Sequence, residues 1–344
     1  MLSRYLSKKL CLALSCVPLL LVGCQSTAPL GSVSFRTQAT ASPPREALFN
    51  QPAAAPFIFK SRQGLLLAYR GLQADSRQVY VRRSRDGQSW DSPVQVSHNN
   101  LSVSHPQIVE EASGKLKLFY HSNQSEAWQL YVSESSDGQT WTPPRKVDLP
   151  ESQISDSSLF YSNKEYLLCY QAFGGGLFLS RSSDGLSWSQ PTQISESGEA
   201  PSLVRTAQGR YALAYEGPTD TGWTIYLSSS SDLKKWSAPQ ALGQDQGPTQ
   251  ESGSRSRWGR LVSGSKSTTL VFSSQTESGA WELYKRSSND LQAWSPPKQL
   301  TQNGLRNVNP QLAPASSSSA YLAWELSQPE SPAVSHLTVQ QLQF

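Results

Sequence analysis

Five segments of this chain superpose on one another without a gap. They are Ser84-Arg-Asp86-Gly-Gln-Ser-Trp90, Ser135-Ser-Asp137-Gly-Gln-Thr-Trp141, Ser182-Ser-Asp184-Gly-Leu-Ser-Trp188, Ser230-Ser-Asp232-Leu-Lys-Lys-Trp236 and Ser288-Asn-Asp290-Leu-Gln-Ala-Trp294. Their aspartates lie 51, 47, 48 and 58 residues apart. A period of that length marks a small structural unit that buries its apolar face only by stacking on copies of itself. Each segment follows an alternating run such as Val79-Tyr-Val-Arg82 and precedes a proline (Pro93, Pro143, Pro191, Pro239, Pro296) and a short apolar-polar run such as Val94-Gln-Val96. The pattern is a hairpin: the aspartate caps a turn through nearby backbone N–H groups, and the glycine after it tolerates positive φ. Two copies carry Leu233 and Leu291 in place of that glycine, so their turns must differ or carry strain. The closing tryptophan offers a large face to a neighbouring strand. A second register repeats with the first: Trp128, Trp223 and Trp281 each stand 13 residues before a closing tryptophan.

Two further strands precede each segment. The first include Pro56-Phe-Ile-Phe59, Pro106-Gln-Ile-Val109, Ser202-Leu-Val204 and Pro310-Gln-Leu312. The second recurs six times, as Leu65–Tyr69, Leu116–Tyr120, Tyr166–Tyr170, Tyr211–Tyr215, Thr269–Phe272 and Tyr321–Trp324. Four strands in each of six units predict an all-β chain folded as a six-bladed β-propeller over residues 47–344. The last unit has only one more strand, within His336–Phe344. Ser32-Val-Ser-Phe-Arg36 alternates like a strand, and a ring must remove its open edges, so this N-terminal strand is expected to complete the last blade.

Ser-x-Asp-x-x-x-Trp at this period resembles the Asp-box, or BNR, repeat of the sialidase superfamily, over about residues 52 to 344. The resemblance implies a propeller whose boxes are surface turns remote from the reaction centre. Asp86, Trp90, Asp137, Trp141, Asp184, Trp188, Asp232, Trp236, Asp290 and Trp294 are therefore expected to be structural.

The amino terminus reads as an address. Arg4, Lys8 and Lys9 precede an apolar run from Leu10 to Val22, too short to span a bilayer but suited to a signal-peptide core. The run ends Leu21-Val22-Gly23-Cys24, which resembles the bacterial lipobox. That resemblance implies removal of residues 1–23, a lipid on Cys24, residues 24–46 as tether, and, with Gln25 following, attachment at the outer membrane. Without the first 23 residues, Lys and Arg fall from 30 to 27 against 26 Asp and Glu. Such a balance leaves no basic footprint for nucleic acid. Cys169 is then the one remaining thiol outside the leader and the lipid site, in an apolar run that predicts a buried packing role. No motif calls for a cofactor, and no cysteine, histidine or carboxylate spacing calls for a metal.

Strand order places the boxes on one face and the inter-unit loops on the other, where propellers generally carry sites. The residue after each second strand is Arg70, His121, Gln171, Glu216, Ser273 and Glu325. Before the first strands stand His105, Asp156, Glu199, Arg257 and Asn309, with Trp258 and Arg306 nearby. These predict a polar rim suited to a sugar or another polyhydroxylated or anionic ligand. A sialidase, by the resemblance, needs an arginine cluster, a Tyr–Glu pair and an acid aspartate. The stretch where the first arginine belongs reads Asn50-Gln-Pro-Ala-Ala-Ala-Pro-Phe57. Glu199-Ala-Pro-Ser202 is similar to the family's Glu-Pro-Ser with one insertion, Glu216 stands where an arginine often ends the next strand, and Asp75 follows Arg70 as the acid would. No nucleophilic tyrosine is placed; Tyr321, inside a strand, is expected to pack. Glu199, Glu216 and Asp75 are the candidate catalytic residues. The expectation is a membrane-anchored module that binds glycan or protein without chemistry. The alternatives are a glycoside hydrolase and an assembly scaffold.

Overall fold

The computed structural model describes residues 51–343 apart from 74–75, 99–101, 124–126, 151–153, 221, 244–254 and 333. Cys24, Asp75 and the expected closing strand Ser32–Arg36 lie outside the described residues.

Every regular element among the described residues is a strand. The first sheet runs β1 (Ala53–Ser61), β2 (Gly64–Gln73), β3 (Ser76–Ser84) and β4 (Val94–Gln95). The second contains β5 (Val103–Glu110), β6 (Leu116–Ser122), β7 (Gln129–Ser135) and β8 (Arg145–Lys146). The third holds β9 (Ile154–Ser162), β10 (Glu165–Ala172), β11 (Leu177–Ser182) and β12 (Thr192–Ser195). The fourth is β13 (Glu199–Arg205), β14 (Tyr211–Thr219), β15 (Gly222–Ser230) and β16 (Gln240–Ala241). Each is an antiparallel meander of four strands in sequence order. The remaining strands form one seven-stranded sheet: β17 (Ser256–Ser263), β18 (Thr268–Gln275), β19 (Trp281–Ser288), β20 (Lys298–Gln299), β21 (Arg306–Ser316), β22 (Ser319–Ser327) and β23 (His336–Gln343).

This is a β-propeller arrangement, with a correction to its blade count. Four blades, not six, stand as separate four-stranded sheets. The last two expected units join because Trp281 opens β19 beside Arg306 of β21 in a parallel pairing, with Trp281 N–H donating to Leu305 O at 3.1 Å. The ring closes between β21–β23 and β1: Ala53 N–H donates to Ser335 O at 2.9 Å, and the Ser335 hydroxyl donates to Ala53 O at 2.9 Å.

The core is divided among the junctions. Six apolar clusters each draw side chains from two neighbouring groups of strands, as when Leu66 and Val81 meet Ile108 and Leu118. Every closing tryptophan packs at the junction with the preceding sheet. Trp188, for example, joins Phe119 and Val132, and Trp90 joins Tyr321. Aromatic rings also stack across the second and third strands: Tyr69 on Tyr80, Tyr120 on Tyr131, Tyr170 on Phe178, Tyr215 on Tyr226 and Phe272 on Tyr284.

The boxes are uniform. Ser84 Oγ accepts the N–H of Gly87 at 2.8 Å, while Asp86 Oδ1 accepts those of Gln88 at 2.8 Å and Ser89 at 2.9 Å. The same bonds recur in the copy with Leu233, which therefore carries strain instead of changing the turn. Leu233 and Leu291 have φ of 61° and 65°, where Gly87 has 75°. Both leucine side chains are buried in the junction cores, and that burial offsets a cost of about 1 kcal/mol for the left-handed backbone. No box residue lines the central channel. Cys169 is fully buried, and burial pushes its thiol well up.

Candidate functional site at the channel mouth

The inner strands β1, β5, β9, β13, β17 and β21 adjoin in that order, and β21 adjoins β1. They enclose a channel of about 420 Å³ lined by all six. Inner strands leave one edge unpaired, and side chains satisfy it. Leu159 N–H donates to Gln107 Oε1 at 2.7 Å, Leu203 N–H to Ser158 Oγ at 2.9 Å, and Leu261 N–H to Ser202 Oγ at 3.0 Å. Each acceptor belongs to the inner strand before, so the ring is laced by side chains.

Five of these strands carry a bulge at the same level, with Ala55, His105, Ala200, Trp258 and Asn309 in the left-handed region at φ of 48° to 55°. Proline follows four of them and Gly259 the fifth. A bulge breaks the ladder, and proline has no N–H to leave unpaired there. The bulges aim His105, Trp258 and Asn309 at the mouth on the face away from the boxes. Asp156 of β9 stands at the same level.

The residues read as two rings are paired rung by rung: Gln171 faces Asp156, Glu216 faces Glu199, and Ser273 faces Arg257. They lie within strands, which run longer than their apolar patterns. Three of them are not rim residues. His121, Glu216 and Ser273 have no exposed surface, because the second strand continues beneath the mouth and is covered by the next inner strand.

Glu216 sits at the centre of one group. Its Oε1 accepts Trp258 N–H at 2.6 Å and its Oε2 accepts Arg257 Nε–H. Arg257 Nη2 also meets Glu199 Oε2 at 3.4 Å. Burial pushes the Glu216 carboxyl above the usual range, and Arg257 partly offsets that. Arg257 lies over Trp223 at 4.6 Å and Trp258 at 5.7 Å, and Arg306 lies over Trp258 at 5.6 Å. Trp281 meets Trp258 edge-on at 5.1 Å.

Glu325 is the counterpart at the closing junction. Its Oε1 accepts Ala55 N–H at 2.7 Å and Asn309 Nδ2–H at 2.9 Å. Arg70 and Arg306 both feel its charge, and burial draws both guanidinium groups down. Among the described residues neither arginine forms an ion pair within 4.0 Å, and Arg70 Nε is buried without a partner. The third group is histidine-based. His105 Nε2 stands 3.9 Å from Asp156, and its ring meets His121 edge-on at 5.6 Å. His121 Nε2 bonds Ser157 Oγ at 2.8 Å, and burial, with His105 adding to it, pulls His121 down to about 4. Among the described residues no three metal-ligating side chains are grouped.

The structure thus brings Arg70, His105, Asp156, Glu199, Arg257, Trp258, Arg306, Asn309 and Glu325 to one mouth, with His121 and Glu216 beneath it. Tyr321 does not join them. It packs at the box end, against Leu65 and Trp90 and beside Gly87. Sequence reasoning missed Trp223 and Trp281 as mouth residues, although their 13-residue register was visible. It also missed Ser157 and Arg260, which carried no signal.

Fold and site together define an Asp-box β-propeller with a charged, aromatic channel mouth. Residues 24–215 match the family model described as BNR repeat-like domain, and the chain belongs to that family. A search of curated proteins gave no match. Among solved structures the fold is similar to a protein of unknown function from Dyadobacter fermentans (15% identity, TM-score 0.68, covering 86% of this chain and 95% of that one). It is also similar to an α-L-arabinofuranosidase from Fusarium graminearum (17%, TM-score 0.64, 86% and 94%). The NanB sialidase of Streptococcus pneumoniae is a third (11%, TM-score 0.63, 88% and 70%).

Proposed function

We propose that this propeller binds an acidic or polyhydroxylated glycan at the channel mouth without cleaving it, and that a lipid on Cys24 holds it to the bacterial envelope, at the outer membrane. The observation that carries the reading is the arc Arg70–Glu325–Arg306–Trp258–Arg257. Three half-buried guanidinium groups stand along one wall, with the face of Trp258 between Arg257 and Arg306, and two of them lack an ion pair within 4.0 Å among the described residues. Guanidinium forks suit carboxylate and sulfate groups, and aromatic faces suit sugar rings. The carboxylates speak for binding over turnover. Both oxygens of Glu216 are engaged by Trp258 and Arg257, and Oε1 of Glu325 braces Ala55 and Asn309.

A second reading, a glycoside hydrolase, is favoured by Glu199 and Asp156, partly exposed carboxylates on neighbouring inner strands at the mouth. Hydrolysis by paired carboxylates needs such a couple. A panel of fluorogenic glycosides, sialosides and arabinofuranosides included, separates the two against wild type, Glu199→Gln and Asp156→Asn. Saturable glycan binding with no turnover supports the binding module. Turnover abolished by either change supports the hydrolase.

A further inference from the structure

The mouth opens into a channel whose walls and charge differ from the rim. Phe57, Leu203, Leu261 and Leu312 line it, and its cationic lining side chains are Lys60, Arg205 and Arg260. The acid that lines it is Asp156, at the mouth. Arg260 is the unusual member. It follows the β17 bulge, is 8% exposed, and donates from Nη1 to Ala200 O at 3.0 Å and Gly259 O at 3.1 Å. Among the described residues no carboxylate lies within 4.0 Å of it, and its Nε and Nη2 have no hydrogen-bond partner, yet neither is sealed from solvent. Two backbone carbonyls hold the guanidinium in place and leave its other edge open to an apolar channel. Arg260 feels the charge of Glu216 without touching it, and both oxygens of that carboxylate are already taken by Arg257 and Trp258, so an incoming anion would pair with an edge that no carboxylate among the described residues reaches.

We propose that the channel below the rim is a binding site for a small amphipathic organic anion, with its acid group on the open edge of Arg260 and its apolar body along Phe57, Leu203, Leu261 and Leu312. The volume of about 420 Å³ falls in the range of small-molecule sites. Selectivity follows from the lining. A neutral apolar molecule leaves Arg260 uncompensated, and a small inorganic anion forgoes the walls. The cavity shares His105, Asp156 and Asn309 with the rim, while Arg260 and the apolar walls belong to the channel.

Calorimetric titration of the purified full-length chain with octanoate, and with 1-octanol as the neutral counterpart, tests the assignment. Octanoate is expected to bind at one site, with 1-octanol at least about tenfold weaker, the scale of a lost charge-assisted contact. Arg260→Gln should weaken octanoate by a similar factor, and Arg260→Lys by less. Gln311→Trp places a bulky ring at a half-buried channel position and should abolish octanoate binding while Arg260 stays in place. If Arg260→Gln fails to fold by its melting curve, Gln311→Trp decides alone. No binding to wild type overturns the proposal. So does binding that persists in both the Arg260→Gln and the Gln311→Trp variants, or binding of 1-octanol equal to that of octanoate.

Discussion

Glu216 and Arg257 pair across the junction between the fourth sheet and β17, the carboxylate wholly buried and the guanidinium still part-exposed. The same carboxylate takes the N–H of Trp258, which the bulge has turned away from any ladder partner. One side chain therefore holds both the charge and the backbone of the next inner strand. Glu216→Ala should cost about 3 kcal/mol, because it leaves the Trp258 amide unpaired and Arg257 with only its contact to Glu199. Glu199→Ala, which removes an exposed contact of the same arginine, should cost under about 1 kcal/mol. Urea unfolding of both variants checks the contrast, and equal losses would contradict this division of roles.

Histidine 121 gives the fold an acid-sensitive limb. Burial holds its ring neutral, so its pKa falls from 6.5 to about 4 in the native state. The unfolded chain takes up the proton first. The stability from this group is therefore complete above pH 6.5 and is lost as pH falls toward 4, by about 3 kcal/mol in all. His121→Gln can still donate to Ser157 and does not titrate. Its unfolding free energy should change less between pH 7 and pH 4.5 than that of wild type, as followed by urea midpoints at the two pH values.

Leu233 makes the box turn a test of strain against burial. Its left-handed φ costs about 1 kcal/mol, while a buried leucine is worth about 2 to 4 kcal/mol in a packed core. Burial wins. Leu233→Gly relieves the backbone and should still destabilise the chain by about 2 kcal/mol. A rise in the melting temperature of that variant would show that strain dominates.

These positions also mark how far the sequence can be read. The boxes were legible because Asp and Trp each perform a task few residues perform, and that chemistry recurs at a fixed spacing. The strands were legible from alternation, and the rim from strand order. Burial of His121 and Glu216 was not, since nothing in Tyr-His or Tyr-Glu says that a strand continues past its apolar run. The count of separate sheets turned on the local pairing of Trp281 with Arg306, which no periodicity records. The bulges left a trace in Ala55-Pro56, His105-Pro106, Ala200-Pro201 and Asn309-Pro310. Proline alone does not tell a strand start from a bulge, and Gly259 replaces it in the fifth case. Arg260 gave no sign because its isolation depends on which carboxylates fail to reach it.

The seam between β21–β23 and β1 should be the weak point of the ring. It depends on Glu325 holding Ala55 and Asn309, and on the two bonds between Ala53 and Ser335. Glu325→Ala removes a carboxylate that two N–H donors and two nearby arginines all use. Hydrogen exchange should then quicken in β1 and β23 well before β6 or β10, whose junction cores are untouched. Uniform quickening across all strands would mean the ring has no preferred opening.

Binding at the mouth should fall into two classes of effect. Arg70→Gln and Arg306→Gln each remove a guanidinium that has no ion pair within 4.0 Å among the described residues. Each should weaken an acidic glycan about tenfold and flatten the salt dependence of binding, with little loss of stability. Trp258→Ala acts differently, because the indole spaces Arg257 from Arg306 and braces Trp281. It should weaken neutral and acidic glycans alike and leave the salt dependence in place. Titrations with one acidic and one neutral oligosaccharide at two ionic strengths distinguish the classes. An arginine variant that loses both ligands equally would shift recognition from charge to shape.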